Sequence, residues 1–146
     1  MDIEIIIDEN LTEPKLIVRT PYITEEINEL SEILSRKHTS FLCGFKDHKL
    51  KIINPSDLIR IYGENKKIYA KTYTDKFLLK HRLYQIADIL DNKKFVRISN
   101  SEIVNLEKVD HFDLNHVGTI CIKLVNGDIT YVARRYVSEV KRILGL

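Results

Sequence analysis

The chain has 146 residues, 44% of them hydrophobic and 30% charged, a balance that suits one well-packed domain or a domain with a small appendage and excludes a low-complexity or disordered polymer. No apolar run reaches the length of a membrane span, and the start Met1-Asp2-Ile3-Glu4 lacks the basic region of a secretion signal, so a cytoplasmic location is expected. The formal net charge of +2 hides an asymmetry: residues 1–40 hold nine acidic and four basic side chains, a net of −5, and residues 41–146 hold 12 acidic and 19 basic ones, a net of +7.

In chain order, Ile3 to Ile7 and Lys15 to Arg19 are strand candidates, with Asp8-Glu9-Asn10 as a turn after the first. Thr24 then introduces a helix over about residues 24–37, whose Ile27, Leu30, Ile33 and Leu34 form one apolar stripe. Its early glutamates and the closing Arg36-Lys37 suit the helix dipole. A polar joint over Lys37 to Ser40 marks a boundary between residues 1–39 and 40–146.

Beyond the joint the pattern is mostly β. Ser40 to Phe45, Leu50 to Ile53, Leu58 to Tyr62, Ile68 to Tyr73 and Lys76 to Leu79 read as strands, with turns at residues 54–57 and 63–67. A helix follows over about residues 81–91, with Leu83, Ile86, Ala87 and Leu90 as its buried stripe. Phe95 to Ile98 is a short β-type run that enters Ser99-Asn100-Ser101, and this turn is expected to cap a short helical turn beginning near Glu102. Val109 to Leu114, Gly118 to Val125 and Asp128 to Val132 are further strands, the last two joined by Asn126-Gly127, the strongest local hairpin signal in the chain. Arg134 to Leu144 closes as a helix. The fold class is therefore mainly β with short helices (α+β), preceded by a small β-β-α extension.

Nothing in the sequence assembles a catalytic site. The five histidines, His38, His48, His81, His111 and His116, form no metal-binding pair, and there is no nucleophile elbow, phosphate loop or dinucleotide fingerprint. His111 and Asp113 share a strand face, which reads as an exposed polar face. Cys43 and Cys121 sit among apolar neighbours without zinc spacing and read as two buried reduced thiols, with a disulfide as the alternative that needs a special argument. Neither a metal nor a cofactor is expected.

A basic body with few catalytic signals suits a polyanion. Asn100 has two readings: an adenine edge can be paired by its amide, and a turn can use the same side chain locally. Asn105 reads as structural. Arg134 and Arg135 open a helix, where basic residues oppose the dipole, so their placement gains no stability from it. Lys66 and Lys67 in a turn, Lys80 and Arg82 around a helix start, and Arg97 beside Ser99 and Ser101 are candidates for phosphate contacts. The aromatic residues are spread as in a core, which does not favour a single-strand stacking platform.

Residues 41–146 resemble a LytTR domain, a DNA-binding module of bacterial transcription regulators. The resemblance rests on Ile52 to Tyr62, the Leu83 to Leu90 helix, Phe95-Val-Arg-Ile-Ser-Asn-Ser-Glu-Ile-Val-Asn105, and Asn126-Gly127 through Val132-Ala-Arg-Arg-Tyr-Val137. It implies an elongated antiparallel β fold whose loop side chains enter successive major grooves of double-stranded DNA and bend it. By position it implies base contacts from Asn100 and Arg135, with Lys66 as the candidate for a third. Lys67, Lys80, Arg82, Arg97, Ser99, Ser101 and Arg134 are then the candidate backbone contacts. Ser99 stands where many members have His. The resemblance also implies paired direct-repeat sites, a homodimer at least on DNA, and no enzymatic activity.

The extension is too short for the receiver domain that many members carry. Its amphipathic helix and acidic charge are expected to serve self-association or the binding of a regulatory protein partner, a membrane protein included; the plainer reading is that the segment simply extends the fold. The alternative function is a protein–protein interaction module that has lost specific DNA binding.

Overall fold

The structure, a computed structural model, describes residues 2–35 and 41–146. The chain divides into two units, residues 1–37 and 38–146.

In the first unit the regular element is helix α1 (Glu25–Ser35). Thr24 caps it: its hydroxyl accepts from the Ile27 N–H at 3.3 Å, and its carbonyl accepts from the Asn28 N–H at 3.0 Å. The expected end at Arg36-Lys37 lies outside the described residues. Asp8 to Leu11 forms the expected turn, with the Leu11 N–H donating to the Asp8 carbonyl at 3.3 Å. The two strands expected at Ile3–Ile7 and Lys15–Arg19 are not formed; the first strand among the described residues begins at Leu42. A run of β-branched residues makes a segment fit for pairing, but a lone pair of short strands is marginal without further strands or a covered face.

Among its described residues the second unit holds ten strands, two α-helices and two short 3-10 turns. Seven strands make one antiparallel sheet in the order β2 (Lys49–Ile53), β1 (Leu42–Lys46), β5 (Lys76–Leu79), β4 (Lys67–Lys71), β3 (Arg60–Glu64), β7 (Glu102–Asn105) and β6 (Phe95–Ser99). A second antiparallel sheet has the order β10 (Ile129–Tyr131), β9 (Cys121–Leu124) and β8 (Val109–Asp113). Helix α2 (Leu83–Ile89) lies between β5 and β6 in sequence, and α3 (Arg134–Ile143) follows β10. The start of the first strand expected at Ser40 lies outside the described residues.

Turn chemistry sets the hairpins. Asp47-His48 joins β1 to β2 and Asn65-Lys66 joins β3 to β4, and all four residues have φ between 50° and 62°. Two-residue type I′ turns require positive φ at both central positions, which Asn, Asp and His tolerate and Lys does not favour. The β9–β10 hairpin is different: its one positive φ is at Gly127, at 90°, whose N–H donates to the Leu124 carbonyl at 2.9 Å.

The expectation of a helical turn at Glu102 is overturned. Glu102 to Asn105 is strand β7, and every residue of it is buried. It pairs with β3 on one side and β6 on the other. Ile103 joins a core built with α2, Leu58, Ile61, Phe77 and Leu79, while Val104 joins a second core with Ile98, Ile120, Ile122, Val132 and Val140. Burial of both faces overrides the local capping preference of the preceding serines. Asn105 is structural as expected: its amide donates to the Leu58 carbonyl at 2.8 Å and its side-chain oxygen accepts from the Glu107 N–H at 3.0 Å. Cys43 and Cys121 are free thiols, half-buried rather than fully buried.

Charged groups join the two sheets. Arg60 Nε on β3 lies 2.7 Å from Glu102 Oε1, off the direction of a hydrogen bond, so the contact is an ion pair without directed donation. Thr130 on β10 donates to Glu102 Oε2 at 2.5 Å, and Lys71 on β4 donates to Asp128 Oδ2 at 2.8 Å. Burial pushes the Glu102 carboxyl above the ordinary range, against the Thr130 hydroxyl and the Arg60 charge.

Glu102→Ala is expected to cost about 3 kcal/mol in chemical denaturation, because it leaves the half-buried Arg60 guanidinium short of a partner. A glutamate raised by folding favours the folded state most at low pH and loses that contribution as pH rises from 4.5 through its folded value. Any stability deficit of Glu102→Gln relative to wild type should therefore shrink as pH rises through that window, as read by unfolding curves at several pH values.

Candidate nucleic-acid interface

Five strand ends meet at one edge of the large sheet. The register places Glu64 beside Lys67, Ile68 beside Leu79, Tyr62 beside Glu102 and Ser99 beside Glu102. The β3–β4 tip, the end of β5 and the β6–β7 turn therefore share that edge. The Gly63 N–H donates to the Ser101 carbonyl at 2.8 Å and ties the first tip to the Ser-Asn-Ser turn.

The turn is held from within. The Ser99 hydroxyl accepts from the Ser101 N–H at 3.2 Å and lies 3.3 Å from the Ser101 hydroxyl. Arg97 Nε donates to the Ser99 carbonyl at 2.9 Å, and its terminal nitrogen donates to the Asn100 carbonyl at 2.7 Å. Arg97 thus commits two donors to clamping the turn and keeps the rest of its fork for other contacts. With Ser99 serving the turn, the Asn100 side chain is released from local duty.

Helix α3 brings its first turn to the same place. The Ala133 N–H donates to the Ile98 carbonyl at 2.8 Å, and Val140 is buried in the second core with Tyr136 and Val137 packed against it. The Tyr136 hydroxyl donates to Asn100 Oδ1 at 2.8 Å, and Arg135 reaches the same oxygen at 3.5 Å. The Arg135 guanidinium lies 5.5 Å from the centre of the Tyr136 ring. Arg134 turns toward Gly118, where an added Cβ would stand 3.4 Å from Arg134 Nε. Asn100, Arg134 and Arg135 are exposed, so their polar groups face solvent at no desolvation cost.

A second group lies around the end of β5. Lys66, Lys67, Lys80, His81 and Arg82 line one shallow concavity floored by Ile68, Leu79 and Leu83. The four cations Lys66, Lys67, Lys80 and Arg82 are exposed. Lys66 sits at the hairpin tip with φ 62°.

The structure thus gathers the sequence candidates into two groups: Arg97, Ser99, Asn100, Ser101 and Arg135 around the β6–β7 turn, and Lys66, Lys67, Lys80 and Arg82 along the β3–β4 tip and β5 end. Arg134 stands at the margin of the first. Tyr136 is a member of the first group that sequence reasoning missed. Its only local signal is that it follows Arg135, since its partner is 36 residues away. Tyr62 and Tyr69 pair at 6.0 Å between ring centres, but Arg60 and Lys76 lie over them, so they form no free stacking platform. Among the described residues no cluster of histidine, cysteine and carboxylate side chains could hold a metal ion. No helix among them is long and apolar enough to cross a membrane.

Residues 48–145 match the family model of the LytTr DNA-binding domain. A Staphylococcus aureus protein (strain NCTC 8325 / PS 47), named an uncharacterized HTH-type transcriptional regulator, is 34% identical over 149 residues, covering 100% of this chain and 99% of its own. A protein of the same description from strain MRSA252 is 33% identical over the same span. The fold is similar to a LytTr DNA-binding domain of a Bacillus cereus protein described as a methyl-accepting/DNA response regulator, with a TM-score of 0.70 at 20% identity, covering 74% of this chain and 99% of that one. The helices described in this chain are separated by strands, so no two consecutive ones make a helix-turn-helix.

Lys66→Gly is expected to stabilise the second unit by about 1 kcal/mol in thermal unfolding, because glycine meets positive φ without the steric cost lysine bears. Tyr136→Phe should leave the fold intact and free the Asn100 side chain. Its amide resonances in NMR spectra should then move toward those of a solvated asparagine.

Proposed function

The chain belongs to the LytTr DNA-binding domain family, and on that premise we propose that it binds double-stranded DNA sequence-specifically and regulates transcription, reading bases with side chains at strand turns. The observation that carries this reading is the convergence of Asn100, Arg135 and the Lys66 tip on one sheet edge, flanked by exposed cations. The names of the Staphylococcus aureus relatives support the regulatory part.

The chemistry assigns different tasks to the groups. Asn100 keeps its amide N–H groups and can pair with an adenine edge in the major groove, while Arg135 presents a planar fork to guanine O6 and N7. Tyr136 orients the asparagine oxygen, which lowers the entropy lost on docking. Lys66 reaches a further base from the β3–β4 tip, in the next major groove. Lys67, Lys80, Arg82 and Arg134, with the hydroxyls of Ser99 and Ser101 and the spare donors of Arg97, hold phosphates and fix register without reading sequence. Two copies occupy paired direct repeats, and contacts in successive grooves bend the duplex. The reaction is binding alone, from the cytoplasm, without cofactor or bond cleavage.

The acidic first unit favours one second reading, an interaction module without specific DNA affinity. Selection of genomic fragments by the purified full chain separates the two. The proposal expects a recurrent motif whose affinity falls steeply with salt. Asn100→Ala and Arg135→Ala should each lose on the order of 1–3 kcal/mol of base discrimination. Lys80→Ala and Arg82→Ala should weaken all sequences alike and each lower the salt slope by about 1. Weak binding that ignores both sequence and substitution would favour the interaction module.

A further inference from the structure

We propose that residues 3–34 form a self-association surface whose partner is a second copy of the same segment, so that the chain dimerises without DNA. Within itself this unit hides little of its apolar surface. Twelve large hydrophobic side chains between Ile3 and Leu34 are each at least 46% exposed. Covering them would remove on the order of 1,000 Å² of apolar surface from water, against about 800 Å² per partner in a standard interface. Exposed apolar area of this size on one short segment marks an interaction site.

The geometry of the apolar surface is ordered. Ile27, Leu30 and Leu34 of α1 line a groove with Leu16 and Val18. Ile5 and Ile7 alternate with Glu4, Ile6 and Asp8, so one face of an extended segment is apolar. Among the described residues no backbone hydrogen bond joins residues 2–9 to residues 15–19, so both keep backbone donors and acceptors for an incoming strand.

Charge identifies the occupant. Residues 2–9 carry four acidic side chains and no basic one, whereas residues 15–19 carry Lys15 and Arg19 and no acidic one. A segment with both halves is complementary to itself. Two copies related by a two-fold axis set each acidic stretch beside the other's basic stretch, and an isologous interface satisfies both pairings at once. An unrelated protein would have to supply both charges in the same spacing. This inference does not rest on the DNA reading, because it concerns only the free protein.

Sedimentation of the full chain at micromolar concentrations tests it. Wild type should be a dimer. Ile5→Asp with Ile7→Asp should give monomer, and neither side chain is part of a core within the first unit, being 87% and 88% exposed. Lys15→Glu with Arg19→Glu should weaken dimerisation by at least about tenfold, and adding Asp2→Lys with Glu4→Lys to the same chain should restore it. Affinity for a DNA fragment with a single site serves as the control and should be unchanged in every variant. A monomeric wild type would overturn the proposal, as would a dimer indifferent to the isoleucine substitutions. Failure of the second charge reversal to restore association would overturn the assigned pairing.

Discussion

Strand β7 is buried on both faces, and the rest of the second unit is arranged around that constraint. Its Ile103 closes the core under α2, and its Val104 closes the core under α3. Its Glu102 meets Arg60 of β3 and Thr130 of β10, which joins the large sheet to the small one. Burying that carboxylate is costly and is offset only by these partners. A strand so enclosed cannot slip in register, because a one-residue shift would exchange its faces between two different cores.

The candidate interface inherits this rigidity. Ser99, Asn100 and Ser101 are the turn into β7, so their backbone is anchored by the most enclosed strand. The first turn of α3 is pinned to β6 through Ala133 and Ile98, and Tyr136 then reaches Asn100. Side chains on a short turn thus sit on a scaffold held from two cores and are pre-oriented before any ligand arrives. Lys66 differs, since it stands at a strained hairpin tip. Such strain persists where the structure around it overdetermines the backbone.

Much of this was legible in the sequence where local chemistry and tertiary context agree. Asn126-Gly127 makes a hairpin because glycine there meets a positive φ. The stripe of Leu83, Ile86 and Leu90 is buried because period and packing coincide. Ser99-Asn100-Ser101 misled because serine and asparagine favour helix caps, and only the burial of Ile103 and Val104 in two different cores reverses that preference. The isoleucine-rich start misled for the opposite reason: β-branched residues show that a strand can pair but do not supply the partner. Asn100 and Arg135 were visible as residue types, whereas the Tyr136 contact and the Arg97 clamp depend on geometry that the fold creates.

The central claim is that turn side chains on one sheet edge enter successive major grooves. Methylation interference on a selected operator tests it directly, because methyl groups at guanine N7 lie in the major groove and those at adenine N3 in the minor groove. The account predicts interference at guanine N7 in separate clusters about one helical turn apart, with the cluster contacted by Arg135 lost in Arg135→Ala. Interference confined to adenine N3, or to one unbroken stretch within a single groove, would contradict it.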